Sequence, residues 1–254
     1  MEATDMWGTG DYKAVADKIA TAGEVLVERA GIEPGMDVLD VACGTGNATI
    51  PAAQRAARVT GLDFSPGLLV LARELGADAM VEVDWIEGDA QALPFEDASF
   101  DRVISCFGHM FAPDHRRTTD ELRRVCRPDG RIAIACWTPE GNIGGMFKRM
   151  ASISPPPPEG FQSPLLWGTE EHVRELLGDG VEFERNHVEW TDPSPEGYAE
   201  FMENSFGPMI AARAQLGDDI VHETVLGWIN AVNEADDGTV RFGGEYLVSV
   251  APPA

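Results

Sequence analysis

The sequence predicts an α/β fold built on a doubly wound, parallel sheet, and three observations carry that prediction. Short apolar runs near residues 37–42, 58–63, 82–87, 101–106 and 131–137 alternate with segments of helical periodicity. The first of these runs is apolar nearly throughout, the pattern of a strand covered on both faces. The first three runs end in small or acidic residues, at Ala42-Cys-Gly44-Thr-Gly46, at Asp63 and at Gly88-Asp89-Ala90. Strand ends of that kind are where open α/β sheets bind nucleotides.

Taken in order, residues 1–32 are expected to form an N-terminal helical flap. Val15, Ile19, Ala22 and Leu26 recur at helical spacing and would face a core. Ahead of them, Trp7-Gly-Thr-Gly10-Asp-Tyr12 reads either as an aromatic flap folded over a ligand or as an unstructured end. Residues 33–140 hold the five alternating strands. Gly44 and Gly46 lack Cβ, so the loop after the first strand can turn sharply and let a ligand approach. A plain structural turn is the competing reading, because the third glycine of the dinucleotide fingerprint is missing.

The second strand ends in Asp63, about 20 residues on, the interval at which a carboxylate meets ribose hydroxyls. Ser65-Pro66 opens the next helix as N-cap and first helical residue. After the third strand, Asp89 offers a carboxylate that can accept a hydrogen bond from an exocyclic amine such as adenine carries. A helix over about 114–127 ends in Arg123, Arg124 and Arg127, which suits its dipole. Pro128-Asp-Gly130 then turns the chain into the fifth strand.

Past Trp137, in residues 141–254, the pattern changes. Pro155 to Pro158 is a stiff extended spacer. Thr169 caps a helix that runs to Leu177. Runs near 181–190 and 240–250 complete a seven-stranded sheet. Between them, one apolar helical stretch carries Tyr198, Phe201, Met202, Phe206, Met209 and Ile210. A second carries Val221, Val225, Trp228, Ile229 and Val232. Met and aromatic surfaces adapt to apolar ligands, so each stretch is expected to give one face to the core and one to a pocket.

At this point a resemblance is visible. Leu39-Asp40-Val-Ala42-Cys-Gly44-Thr-Gly46, Gly61-Leu-Asp63-Phe-Ser65, Gly88-Asp89-Ala90, Leu93-Pro94-Phe95, Phe100-Asp101-Arg-Val103-Ile-Ser105 and Arg124-Val-Cys-Arg127-Pro128-Asp-Gly130 resemble class I S-adenosylmethionine-dependent methyltransferases. Within that family they are most similar to the ubiquinone and menaquinone C-methyltransferase branch, which also holds many small-molecule enzymes. The resemblance covers roughly residues 30–140. Ala42 departs from it, standing where the family often has the first loop glycine.

The resemblance implies a Rossmann-like methyltransferase sheet with an antiparallel edge, and a helical lid over about 141–168 and 195–236. It implies S-adenosyl-L-methionine as cofactor and S-adenosyl-L-homocysteine as product. The implied cofactor contacts are Gly44, Gly46, Ala42 and Asp40 at the methionine end, Asp63 at the ribose and Phe64 beside the adenine. Asp89 and Ala90 would meet the adenine edge, Cys106 and Phe107 would lie under the sulfonium, and Tyr12 would close the site. His109, just after the fourth strand, is the candidate catalytic base, since neutral imidazole can take a proton from a hydroxyl. A structural or substrate-orienting histidine is the alternative. His187 is the weaker candidate, and His115, His172 and His222 are expected to be solvated.

Function follows as methylation of a small organic acceptor, first an O-methyltransferase of a specialised metabolite. A C-methyltransferase of a quinone-like substrate comes second, and an NAD- or FAD-dependent oxidoreductase third. Composition narrows the partners. The 254 residues hold 43 acids against 19 bases, a formal net charge of -24, which repels nucleic acid and anionic membranes. The four cysteines, at 43, 106, 126 and 136, show no metal-ligand spacing, so no metal site is expected and buried thiols fit a reducing cytoplasm. No run of about 18 apolar residues predicts a membrane span, and the first residues lack the pattern of a signal peptide. A cytoplasmic monomer or homodimer with no membrane insertion is the expectation.

Overall fold

The computed structural model describes residues 3–253; Met1, Glu2 and Ala254, the extreme ends of the predicted first and last segments, lie outside the described residues. Seven strands form one sheet: β1 (Asp37–Val41), β2 (Arg58–Asp63), β3 (Val83–Glu87), β4 (Phe100–Cys106), β5 (Cys126–Trp137), β6 (Glu182–Asp192) and β7 (Val240–Ala251). Their order is β3-β2-β1-β4-β5-β7-β6. The first five run parallel. β7 enters antiparallel to β5, from Ile132 opposite Ala251 to Trp137 opposite Tyr246, and β6 pairs antiparallel with β7 along its whole length. The doubly wound sheet with an antiparallel edge is therefore as the sequence predicts.

The strand order reverses between β1 and β4, which pair from Val38–Arg102 to Asp40–Ile104. A crevice opens beyond the carboxyl ends of strands at such a switch point. The centre of the sheet is hydrophobic on both faces: Val38, Leu39, Val103, Ile104, Ile132 and Ala133 have no exposed surface. Helices α1 (Ala3–Trp7), α2 (Tyr12–Lys18), α3 (Ala20–Arg29), α4 (Thr49–Gln54), α5 (Pro66–Asp78) and α6 (His115–Val125) accompany the parallel half. Helices α7 (Asn142–Ile153), α8 (Glu170–Leu177), α9 (Pro195–Ser205), α10 (Gly207–Leu216) and α11 (Asp218–Val232) follow.

Several local expectations need correction. Ser65 stands at the N-cap of α5, yet its hydroxyl makes no capping bond and is buried without a partner. The N-terminal periodicity is split, because the chain leaves helical geometry at Ile19 between α2 and α3. The helix before β5 stops at Val125, where Cys126 goes extended to pair with Phe100. Residues 127–130 then bulge out before pairing resumes at Arg102–Arg131. His115 is not solvated: it is fully buried, its Nδ1 2.9 Å from Nε2 of His172. No disulfide forms: Cys43, Cys126 and Cys136 are buried free thiols and Cys106 is partly exposed. Among the described residues no helix is long and apolar enough to cross a membrane.

Candidate active site

The loops after β1, β2 and β4 meet at the crevice. Leaving β1, the backbone turns left-handed at Ala42 (φ +54°) and again at Gly44 (+55°) and Gly46 (+95°). Glycine takes that conformation freely, whereas alanine pays for it. Ala42 thus holds the turn that the family's glycine would make, at a cost in strain. A Cβ on Gly46 would sit 2.9 Å from Cη2 of Trp85, so this glycine lets the loop pack closely on β3.

Asp63, at the tip of β2, is 3% exposed. Its Oδ2 accepts the Gly44 N–H at 2.8 Å and its Oδ1 accepts the Ser65 N–H at 2.9 Å. Burial raises its pKa against the pull of those bonds. Asp40 lies deeper, on β1. Its Oδ2 accepts the Thr49 hydroxyl at 2.6 Å, and its Oδ1 is buried with no partner. Burial, opposed by the Thr49 bond, pushes the Asp40 carboxyl up to about 7.

The two loops flanking the crevice are tied together. The Ser105 hydroxyl donates to the Val41 carbonyl at 2.6 Å and accepts the His109 N–H at 3.1 Å. Phe107 then adopts φ +63°, rare for an aromatic residue. Its ring stacks on Trp137, with centroids 4.0 Å apart, and meets Tyr246 edge-on.

A cavity of about 570 Å³, mouth included, lies above these tips. Ala42, Gly44, Asp63, Phe64, Cys106 and Phe107 line it, with Tyr12 closing it from α2. Asp89 and Ala90 line an adjoining recess that also reaches Ala42 and Phe64. Asp89 itself is exposed, its Oδ1 accepting the Gln91 N–H at 2.8 Å. Of the residues singled out in the sequence, Asp40 and Gly46 support the floor from outside the cavity lining; the others named face one compartment or the other.

A third compartment, about 470 Å³ with its mouth included, opens on the far side of Tyr12, Phe107 and Phe111. Its other walls include Trp137, Ile143, Met146, Phe147, Trp190 and Met202. Met202 and Phe206 come from the first apolar stretch noted in the sequence. The rest of that stretch does not line it: Tyr198 is buried among Trp190, Trp228 and Phe242. The second stretch faces the core, with Trp228 Nε1 donating to the Asn142 carbonyl at 3.1 Å. α7 lies within the lid expected over about 141–168, but its lining residues Ile143, Met146 and Phe147, at helical spacing i, i+3 and i+4, were not singled out. Gly108 and Phe111 were missed too, as nothing local distinguishes them.

His109 lines none of these three compartments. Its ring is fully buried, edge-on to Trp167 at 4.8 Å, with Nε2 3.2 Å from the Cys136 sulfur and Nδ1 unpartnered. Burial, then the nearby His115, pushes it down to about 3. His187 is surface-exposed beside Glu245. Among the described residues no group of three or more potential ligands is placed to hold a metal ion.

With this geometry in view, the likenesses to known proteins are specific. A methyltransferase domain family model matches residues 38–130. The uncharacterized Mycobacterium tuberculosis protein Rv1405c is 41% identical over 248 residues, covering 95% of this chain and 87% of that one. A demethylmenaquinone methyltransferase of Staphylococcus aureus is 43% identical over 126 residues, 48% of this chain and 51% of that one. The crystal structure of the Bacillus YcgJ protein superposes with a TM-score of 0.64 at 15% identity, covering 91% of this chain and 97% of that one, which speaks to the fold.

Proposed function

We propose, from the premise that this chain belongs to the class I S-adenosylmethionine-dependent methyltransferases, that it methylates an oxygen of a small organic acceptor of specialised metabolism. The observation that carries this reading is the pair of joined cavities: one over the strand tips that carries Thr45, Asn47 and Asp63, and a second beyond it lined by apolar and aromatic side chains, meeting at Tyr12, Phe107 and Phe111.

The residues present fit the cofactor. Asp63 would hold the ribose hydroxyls, Phe64 and Ala90 the adenine, and Asp89 its amine. The Gly44 turn keeps Cβ atoms away from the methionine end, and Cys106 and Phe107 would underlie the sulfonium. When bound, the donor supplies a methyl carbon on positively charged sulfur: an acceptor lone pair forms the new bond, the C–S bond breaks, and its electron pair stays on sulfur.

This chain's part is positioning and water exclusion. Trp7 packs against Phe111 and Phe206 at 4.6 and 5.7 Å, so α1 and α2 wall the cavity with aromatic rings. In this reading residues 3–32 act as a flap, 33–140 grip the donor, and α7 and α9 cover the acceptor. Holding two reactants in line can remove several kcal/mol of barrier, up to about 7–11 in ideal cases. His109 receives no proton-transfer step here, because an enclosed ring turned to Cys136 meets no acceptor.

A second reading, methylation of a ring carbon in a quinone-like acceptor, is favoured by the likeness of nearly half of this chain to demethylmenaquinone methyltransferases. Release of S-adenosylhomocysteine, followed over phenols, quinones and amines with product masses and fragmentation, tests both. Thermal stabilisation by NAD but not by S-adenosylmethionine would overturn them together.

A further inference from the structure

Trp190, on β6, is 3% exposed, and its Nε1 is buried with no hydrogen-bond partner among the described residues. It lines the apolar compartment and not the cavity over the strand tips. Trp7 and Trp137 line the same compartment, yet neither carries a buried, unpartnered indole nitrogen. Trp228, which packs on the same Phe242 ring, has its N–H paired with the Asn142 carbonyl. A buried indole N–H ordinarily finds an acceptor, so an unpaired one calls for a cause.

The surroundings explain why the protein supplies none. β6 pairs with β7 along its length, Trp190 opposite Phe242 and Val188 opposite Gly244, which commits the nearby backbone to the ladder. The Gly243 carbonyl accepts Nδ2 of Asn142. The Tyr198 hydroxyl is itself buried and unpartnered. The indole lies parallel to the Phe242 ring, with an interplanar angle of 2°, so its in-plane N–H does not point into that ring. A Cβ on Gly244 would lie 2.9 Å from Nε1, 3.2 Å from Cγ1 of Ile143 and 3.3 Å from Cζ3 of Trp137. Ile143 and Trp137 are compartment walls too, so the indole nitrogen stands where three walls converge.

No described residue lining this compartment has a charged side chain. A charged group beside Nε1 would be buried without a counter-charge, so the N–H suits an uncharged oxygen. β6 stands three strands from β4, whose end carries Cys106 and leads to Phe107. At the usual strand spacing that is roughly 14 Å.

Building on the methyltransferase reading above, we propose that Trp190 is a specificity-determining residue. Its Nε1–H donates to an uncharged carbonyl oxygen at the end of the acceptor remote from the atom that takes the methyl group. A ligand of the same shape without that oxygen leaves the N–H unpaired, and the site selects against it. Trp190 touches no reacting atom and takes no part in the transfer itself.

Matched ligands test this. 2-Acetylnaphthalene and 2-isopropenylnaphthalene differ by C=O against C=CH2, and 4-acetylbiphenyl and 4-isopropenylbiphenyl form a longer pair. Each is titrated by calorimetry into the full chain, with and without saturating S-adenosylhomocysteine. A ketone is expected to bind about tenfold or more tightly than its isopropenyl partner. In protein labelled with nitrogen-15 at tryptophan, the Trp190 indole N–H signal, assigned by its loss in Trp190→Phe, is expected to move downfield with the ketone alone. Trp190→Phe is expected to remove the preference and keep S-adenosylhomocysteine affinity within about twofold. A merely structural role would weaken both ligands alike, and the ligand pairs on the parent protein decide the matter even if the variant fails to fold. Equal binding within the pairs, no binding of either ketone, an unmoved Trp190 signal, or a preference kept in Trp190→Phe would overturn the proposal. A ketone preference without any binding of S-adenosylhomocysteine would instead sink the methyltransferase reading and leave Trp190 as the selecting donor.

Discussion

Gly108 and Ala42 pack so closely that a Cβ on Gly108 would lie 2.6 Å from the Ala42 methyl and closer still to its carbonyl oxygen. The loops after β1 and β4 therefore share one contact surface, and Ser105 bonds both from beneath. Neither loop can shift without the other.

Gly108→Ala should consequently damage both loops at once. Overpacking of this kind costs about 1–3 kcal/mol, and affinity for S-adenosylhomocysteine, measured by calorimetry, should fall at least tenfold. Ala42→Gly should act in the opposite sense. It relieves a left-handed alanine, about 1–2 kcal/mol, against about 0.5–1 kcal/mol of added chain entropy. A small gain in melting temperature with cofactor affinity retained is the expected result.

Asp63→Asn tests the grip at the tip of β2. The carboxylate accepts N–H groups on both oxygens, whereas an amide has one acceptor. One buried N–H is left unpaired, a loss of about 1–3 kcal/mol. Asp63→Ala should weaken cofactor binding further, and unchanged affinity in either variant would show that the ribose end lies elsewhere.

Met202→Trp separates the compartments. The added bulk projects into the apolar cavity alone, so turnover should drop while cofactor affinity stays within about twofold, well under the tenfold step of 1.4 kcal/mol. A parallel loss of both would mean that the two cavities are a single site.

His109→Gln should keep its melting temperature within a few degrees and retain turnover. A general base contributes about 10²–10⁴ in rate, so a loss of that size in a folded variant would restore the base role to His109.

Stability against pH carries two opposed signatures. His109 and His115 are held down to about 3 and about 4, from an ordinary 6.5. Between those values and 6.5 the unfolded chain binds more protons, so stability is lost as pH falls through that window, at up to about 1.4 kcal/mol per unit for each group. Asp40 is the reverse case, raised from 3.8 to about 7. The folded chain holds the extra proton, so stability is lost as pH rises from 3.8 to about 7. In a denaturation series over pH 4–8, His115→Gln should flatten the acid limb. Asp40→Asn should raise stability at pH 8 relative to the parent protein. Opposite outcomes would show that these groups titrate normally.

The sequence by itself determined the parallel half of the fold and the polar tips of its strands. Hydrophobic runs and turn chemistry are local signals, each read within a few residues, and Gly44, Asp63 and Asp89 each stand just at the end of one such run. Tertiary structure alone decided which side chains meet across distance. Sequence position put His109 beside the site, but its ring turned into the core against Cys136 and Trp167, because a side chain's direction after a strand depends on φ at the preceding residues, here the left-handed Phe107. The apolar compartment likewise draws on α1, α2, β5, α7, β6 and α9, more than 190 residues apart in the chain at its extremes, Trp7 and Phe206. A cavity's shape and its lack of charge are properties of what converges there, and no single stretch of sequence carries them.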